Sequence, residues 1–203
     1  MSTVTSAAAL GPRSRPALPP QDAAGRTGMM LFLFSEGMLF AALVSAFVVL
    51  SAGAPSWPPP GQPRLPVAMT AGNALLLLLS GWTMLRSVGE ARRGGAALVR
   101  WITATLLLGG AFLAGQGIEW ARLLGYGVSS QASVYGATFY AVVGIHAAHV
   151  VAALIVLAVS LRRSRRGTYT PQRHEGLVLC SWFWLFVVLV WPVLYLLLYQ
   201  PWS

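Results

Sequence analysis

Apolar residues along this chain fall into five long blocks, separated by short stretches rich in arginine, proline or glycine. The blocks run over residues 28–51, 66–88, 97–124, 133–161 and 175–199. Each exceeds the roughly 20 residues that a helix rising about 1.5 Å per residue needs to cross about 30 Å of hydrocarbon. Lipid offers backbone N–H and C=O groups no partners, so a spanning segment satisfies them as a helix or within a closed barrel. Barrel strands alternate polar and apolar positions over about ten residues, and these blocks show no such alternation. The pattern predicts an all-α integral membrane protein with five transmembrane helices over residues 28–203. Residues 1–27, rich in proline, alanine and arginine, lack the apolar core of a signal peptide and read as a disordered tail.

Composition agrees. The chain is 56% hydrophobic and 9% charged, where a soluble domain carries roughly 25% charged residues. A net charge of +9 would suggest nucleic acid in a soluble chain. Here the cations sit in loops between apolar blocks, where they orient a membrane protein, and no nucleic-acid partner is expected. Twelve of the 14 arginines lie in the tail and in or beside the loops after the second and fourth blocks; only Arg64 and Arg122 lie on the other side. The positive-inside rule places the N-terminus in the cytoplasm and the C-terminus outside, as an odd helix count requires. All basic residues are arginine, in keeping with the codon bias of a GC-rich bacterial genome; in a bacterium the expected location of such spans is the plasma membrane. Cys180, the single cysteine, lies inside an apolar block and reads as a small buried hydrophobe. No internal repeat, phosphate-binding glycine loop or nucleophile elbow is present.

Polar residues inside the blocks are the candidate chemistry, because hydrocarbon penalises ionisable groups. Glu36 lies about 10 Å into the first helix by helical rise. Two readings stand for it: a proton-linked or subunit-contact site, and a protonated carboxyl bonding a neighbouring helix. Ser35 and Asn73 read as interhelical hydrogen-bonding groups. Gln116 and Glu119 share a face of the third helix near its outer end, where Glu119 is expected to reach water and anchor packing with Arg122. His146 and His149 share a face of the fourth helix. A metal or di-iron site would need ligands that this chain lacks, so a hydrogen-bonded pair meeting a carboxylate or lipid headgroup is expected, with no metal.

These elements together resemble subunit III of the haem–copper terminal oxidases, from about residue 28 to the C-terminus. The Ser-Glu of MMLFLFSEGMLFAAL, the Trp-Pro-Pro beginning at Trp57, Asn73, and the Gln-x-x-Glu-aromatic of GQGIEW each match a family element. Most specific is VYGATFYAVVGIHAAHV, with its Gly-x-His-x-x-His-Val; the last helix, WFWLFVVLVWPVLYLLLY, matches in its aromatic frame. The chain looks like the family's five-helix bacterial form. The resemblance implies two helix bundles separated by a lipid-filled cleft. It also implies main contact with subunit I, subunit II in the same complex, and bound phospholipid. No cofactor belongs to this chain, with haem and copper in the partner subunits. The implied roles are stabilising subunit I and supporting proton uptake during reduction of O2 to water. Glu36, His149 and His146 take the positions of the family's buried glutamate and histidine pair; His146, His149 and Trp57 are candidates for lipid contact.

The sequence departs from the family in its last helix. Where the family reads Trp-His-Phe-x-Asp, this chain has Trp184, Leu185, Phe186, Val187 and Val188, and Val178 replaces an earlier glutamate. A thinner polar cluster around Glu36 and His149 is the expectation. Quinol oxidase subunit III and a nitric oxide reductase accessory subunit are alternatives within the same fold. A small stand-alone transporter is a third, disfavoured by the lack of repeats and broken helices.

Overall fold

The computed structural model describes residues 21–57, 59, 67–125 and 133–199. It comprises five α-helices: α1 (Gln21–Ala52), α2 (Val67–Arg93), α3 (Leu98–Gly125), α4 (Val134–Arg165) and α5 (Glu175–Tyr199). Over their described residues, α1, α3, α4 and α5 are each long and apolar enough to cross a membrane. Helix α2 lies antiparallel to α3: Thr70 meets Glu119 near one end, and Trp82 meets Trp101 near the other. It therefore runs the same depth as α3.

Local chemistry fixes several ends. Ser133 caps α4 by accepting a hydrogen bond from the Gly136 N–H at 3.0 Å, which satisfies one of the donors a helix start leaves open. Gly94 and Gly167, at φ 67° and 69°, turn the chain just beyond α2 and α4 in a conformation that a Cβ disfavours. Helix α1 begins at Gln21, so residues 21–27, expected in the tail, are helical. The Arg26 guanidinium in that first stretch forms an ion pair with Glu175 at the start of α5. The remainder of the expected tail, residues 1–20, lies outside the described residues.

Helices α2, α3, α4 and α5 close into a ring in which each packs on the next and α5 returns to α2. Helix α1 stands outside, touching α4 and α5 but neither α2 nor α3. The division expected as two bundles is thus uneven, one group of four helices with a single helix against it.

Because lipid tails are as apolar as leucine, such a group is held by close packing and interhelical hydrogen bonds, and small residues matter accordingly. The centre of the ring is filled by Trp184 and Trp191 of α5, both fully buried. A Cβ at Gly109 of α3 would lie 2.4 Å from Trp184 Cη2, so only glycine lets this indole reach α3. Its Nε1–H donates to Ser80 Oγ of α2 at 3.2 Å. Trp191 sits edge-on to Phe112 of α3, with ring centroids 5.1 Å apart, across the diagonal that no backbone contact spans.

Candidate functional site

Glu36 and His149 lie halfway along α1 and α4, about 22 Å from the first residue of each helix. The early start of α1 places Glu36 deeper in its helix than the sequence reading of about 10 Å. The two side chains meet directly, His149 Nε2 lying 2.8 Å from Glu36 Oε2. They are partly buried, at 16% and 19% exposure. Phe40, one turn along α1 from Glu36, covers the imidazole edge-on with centroids 5.1 Å apart.

The other ring nitrogen decides the protonation chemistry. His149 Nδ1 lies 2.8 Å from the Ile145 carbonyl oxygen. A carbonyl only accepts, so Nδ1 carries a hydrogen. One further proton then lies between Nε2 and Glu36. On the ring it gives an imidazolium–carboxylate pair; on the carboxyl it gives two neutral groups. Both forms have no net charge, which spares the membrane interior a lone ion. The arrangement can hold a proton and shift it across one hydrogen bond without changing the charge of the pair.

His146 behaves differently from the sequence expectation. It is 1% exposed and stacks on Trp191 at 5.0 Å, with Phe40 and Phe112 against its edges. Neither ring nitrogen has a hydrogen-bond partner among the described residues. A position enclosed by aromatic rings at the centre of the molecule excludes the expected lipid contact and the expected bond to a carboxylate.

A second buried carboxyl lies at the far end of the ring. Glu119 is 2% exposed. Thr70 Oγ1 of α2 donates to its Oε1 at 2.9 Å, and Gln116 Nε2 to its Oε2 at 3.0 Å. Tyr199 of α5 stands beside Thr70, Gln116 and Glu119. The expected contact with water is therefore corrected, because three helices close over the carboxyl. Arg122 lies close enough to act on Glu119 through its charge but directs Nη1 at Met69 Sδ, 3.2 Å away, and Thr70 supplies the interhelical hydrogen bond. Sequence reasoning missed Thr70, because nothing in a lone threonine identifies which helix faces it.

Asn73 joins α2 to α3 by donating to the Phe112 carbonyl oxygen at 3.0 Å. Gly115 makes this approach possible, since a Cβ there would fall 2.6 Å from Asn73 Oδ1. Ser35, expected to bond between helices, instead donates to Phe32 O of its own helix at 2.8 Å from an exposed position. Trp57 folds back from the loop after α1 and lies edge-on to Phe47 and Tyr135, at 5.5 Å and 5.2 Å. The apolar replacements in α5 also find a physical place. Leu185 and Val188 face Gly81 of α2, on the opposite side of the ring from Glu36, so a polar residue at either position would not have partnered the Glu36–His149 pair.

Residues 21–203 match the family described as cytochrome c oxidase subunit III. A probable cytochrome c oxidase subunit 3 of Nocardia farcinica is 35% identical over 173 residues, covering 85% of each chain. The cytochrome c oxidase subunit 3 of Synechocystis is 32% identical over 85% of this chain and 73% of its own length. That of Corynebacterium diphtheriae is 35% identical over 85% of each.

Proposed function

The chain belongs to the cytochrome c oxidase subunit III family, and we propose that it is the non-catalytic membrane subunit of a proton-pumping bacterial haem–copper oxidase. In this reading it lies in the plasma membrane with its N-terminus in the cytoplasm, beside subunit I and in one complex with subunit II. It stabilises subunit I and supports proton uptake during reduction of O2 to water. The observation that carries the reading is the Glu36–His149 hydrogen bond at mid-membrane, on the one helix that stands outside the ring.

Two further features support it. Only 11% of the apolar window of α1 is buried within the chain, leaving Leu31, Phe34, Met38 and Val49 outward. That face is where subunit I would dock, with the Glu36–His149 pair behind it. The histidines, in turn, are poor redox ligands. Both nitrogens of His149 are engaged by Ile145 and Glu36, and His146 is closed in by Phe40, Phe112 and Trp191. Haem and copper belong to the partner subunits.

The test is a mild-detergent pull-down through an N-terminal tag, with mass spectrometry and reduced-minus-oxidised visible spectra. A large multi-helix partner with a-type haem absorbance is expected. Signals of b- or o-type haem would shift the assignment to quinol oxidase or nitric oxide reductase. A chain recovered alone and colourless, where other respiratory complexes survive, would overturn the subunit reading.

A further inference from the structure

The ends of α2 and α3 nearest their connecting turn carry a group of side chains that the Glu36–His149 site does not use. Trp82 and Arg86 lie one turn apart on α2, and Trp101 lies near the start of α3. The two indoles meet at right angles with centroids 5.4 Å apart. The Arg86 guanidinium carbon lies 5.5 Å from each ring centroid. Contact with two aromatic faces holds a planar guanidinium in place. It does not use up the N–H donors, and Arg86 makes no hydrogen bond or ion pair with any described residue. Glu90, the carboxylate one turn further on, folds over Gly95 instead, where a Cβ would lie 1.9 Å from its Oε2.

The depth of this arginine separates it from its neighbours. Arg92, Arg93 and Arg100 sit at the helix ends, whereas Arg86 lies about 10 Å before the end of α2. That is the level where tryptophans meet the boundary between headgroups and hydrocarbon. Below it, on the same face of α2, runs an outward stripe of exposed leucines, Leu75, Leu78 and Leu79. The stripe is wholly apolar and matches hydrocarbon tails. A fixed cation with unused donors above an apolar stripe fits one kind of molecule, with an anionic head and long hydrocarbon tails.

We propose that the α2–α3 hairpin binds an anionic phospholipid, its phosphate on Arg86 and its acyl chains along the leucine stripe. Arg92, Arg93 and Arg100 add the positive field that favours an anionic headgroup over a zwitterionic one. The site lies on the opposite side of the ring from Glu36 and requires only that the chain span a membrane. It therefore stands or falls independently of the oxidase reading.

The experiment places the purified full chain, with any subunits that accompany it, in nanodiscs of phosphatidylcholine containing a minor fraction of phosphatidylglycerol, the anionic probe. Lipid retained after a detergent wash is then counted by native mass spectrometry. The wild type should retain phosphatidylglycerol in preference to phosphatidylcholine. Arg86→Gln should lower that retention roughly fivefold, the scale of one basic residue at an anionic surface, and leave phosphatidylcholine unchanged. Arg162→Gln, an exposed arginine at the end of α4, should change neither. Arg86→Lys guards against a glutamine variant that does not assemble. It keeps the charge without the planar stack, and a loss of about twofold is expected. Unchanged retention in the Arg86 variants, or equal loss in Arg162→Gln, overturns the site. So does loss of a protein subunit with lipid content intact, which would make the hairpin face a protein contact.

Discussion

Glu36 Oε2 and His149 Nε2 stand 2.8 Å apart, and this bond is the one polar tie described between α1 and α4. Removing either partner leaves the other half-buried and unpaired in an apolar setting, which costs more than the bond itself contributes. Glu36→Ala and His149→Phe should each lower the dissociation temperature of the purified complex, with haem content unchanged. The double variant should be less damaged than the sum of the two, by a coupling of about 1 kcal/mol. Thermal dissociation of the four complexes, arranged as a double-mutant cycle, measures it. Strict additivity would mean that the pair is not coupled.

Gly109 and Trp184 make a sharper steric prediction. With 2.4 Å between a Cβ at 109 and Trp184 Cη2, Gly109→Ala forces the indole off its bond to Ser80. The expected cost is about 1–3 kcal/mol. Trp184→Phe, which removes the colliding ring, should recover part of it in the double variant. Fluorescence-detected gel filtration after graded heating would rank the four forms; a stable Gly109→Ala would show that α3 and α5 can separate freely here.

Thr70 and Glu119 test the second buried carboxyl. Thr70→Val keeps the shape and removes the donor to Oε1, at a cost of about 1–3 kcal/mol for a buried acceptor left unsatisfied. Glu119→Gln, which can still accept at its carbonyl, should cost less. A thermal melt of the complex with each variant checks the order. A neutral Thr70→Val would show that Glu119 finds another donor.

Much of this was legible from the chain. Block length and the placement of arginine define the helices, because lipid imposes one solution on the backbone. The spacing of His146 and His149 places both on one face of α4. It does not show that α1 crosses at His149 while α3 and α5 enclose His146, since three residues span most of a helical turn. The roles of Ser35 and Thr70 were hidden for the same reason: a hydroxyl bonds equally well to its own helix or to a neighbour. Glu119 sits near a helix end, where sequence suggests water, yet Thr70, Gln116 and Tyr199 close over it. Trp82 and Arg86 lie one turn apart on α2, a pairing the sequence reading did not single out. Trp101 joins it only because the short turn after Arg93 folds α3 back beside α2.

In the proposed function, Glu36 shares a proton with His149 and serves the neighbouring catalytic subunit. The measurement is proton uptake and O2 consumption by the intact complex carrying Glu36→Gln, with the haem spectrum and subunit content as controls. Severalfold slower uptake and turnover, a normal haem spectrum and a full set of subunits are expected. Wild-type uptake in an intact complex, or haem loss while the complex stays assembled, would contradict that role.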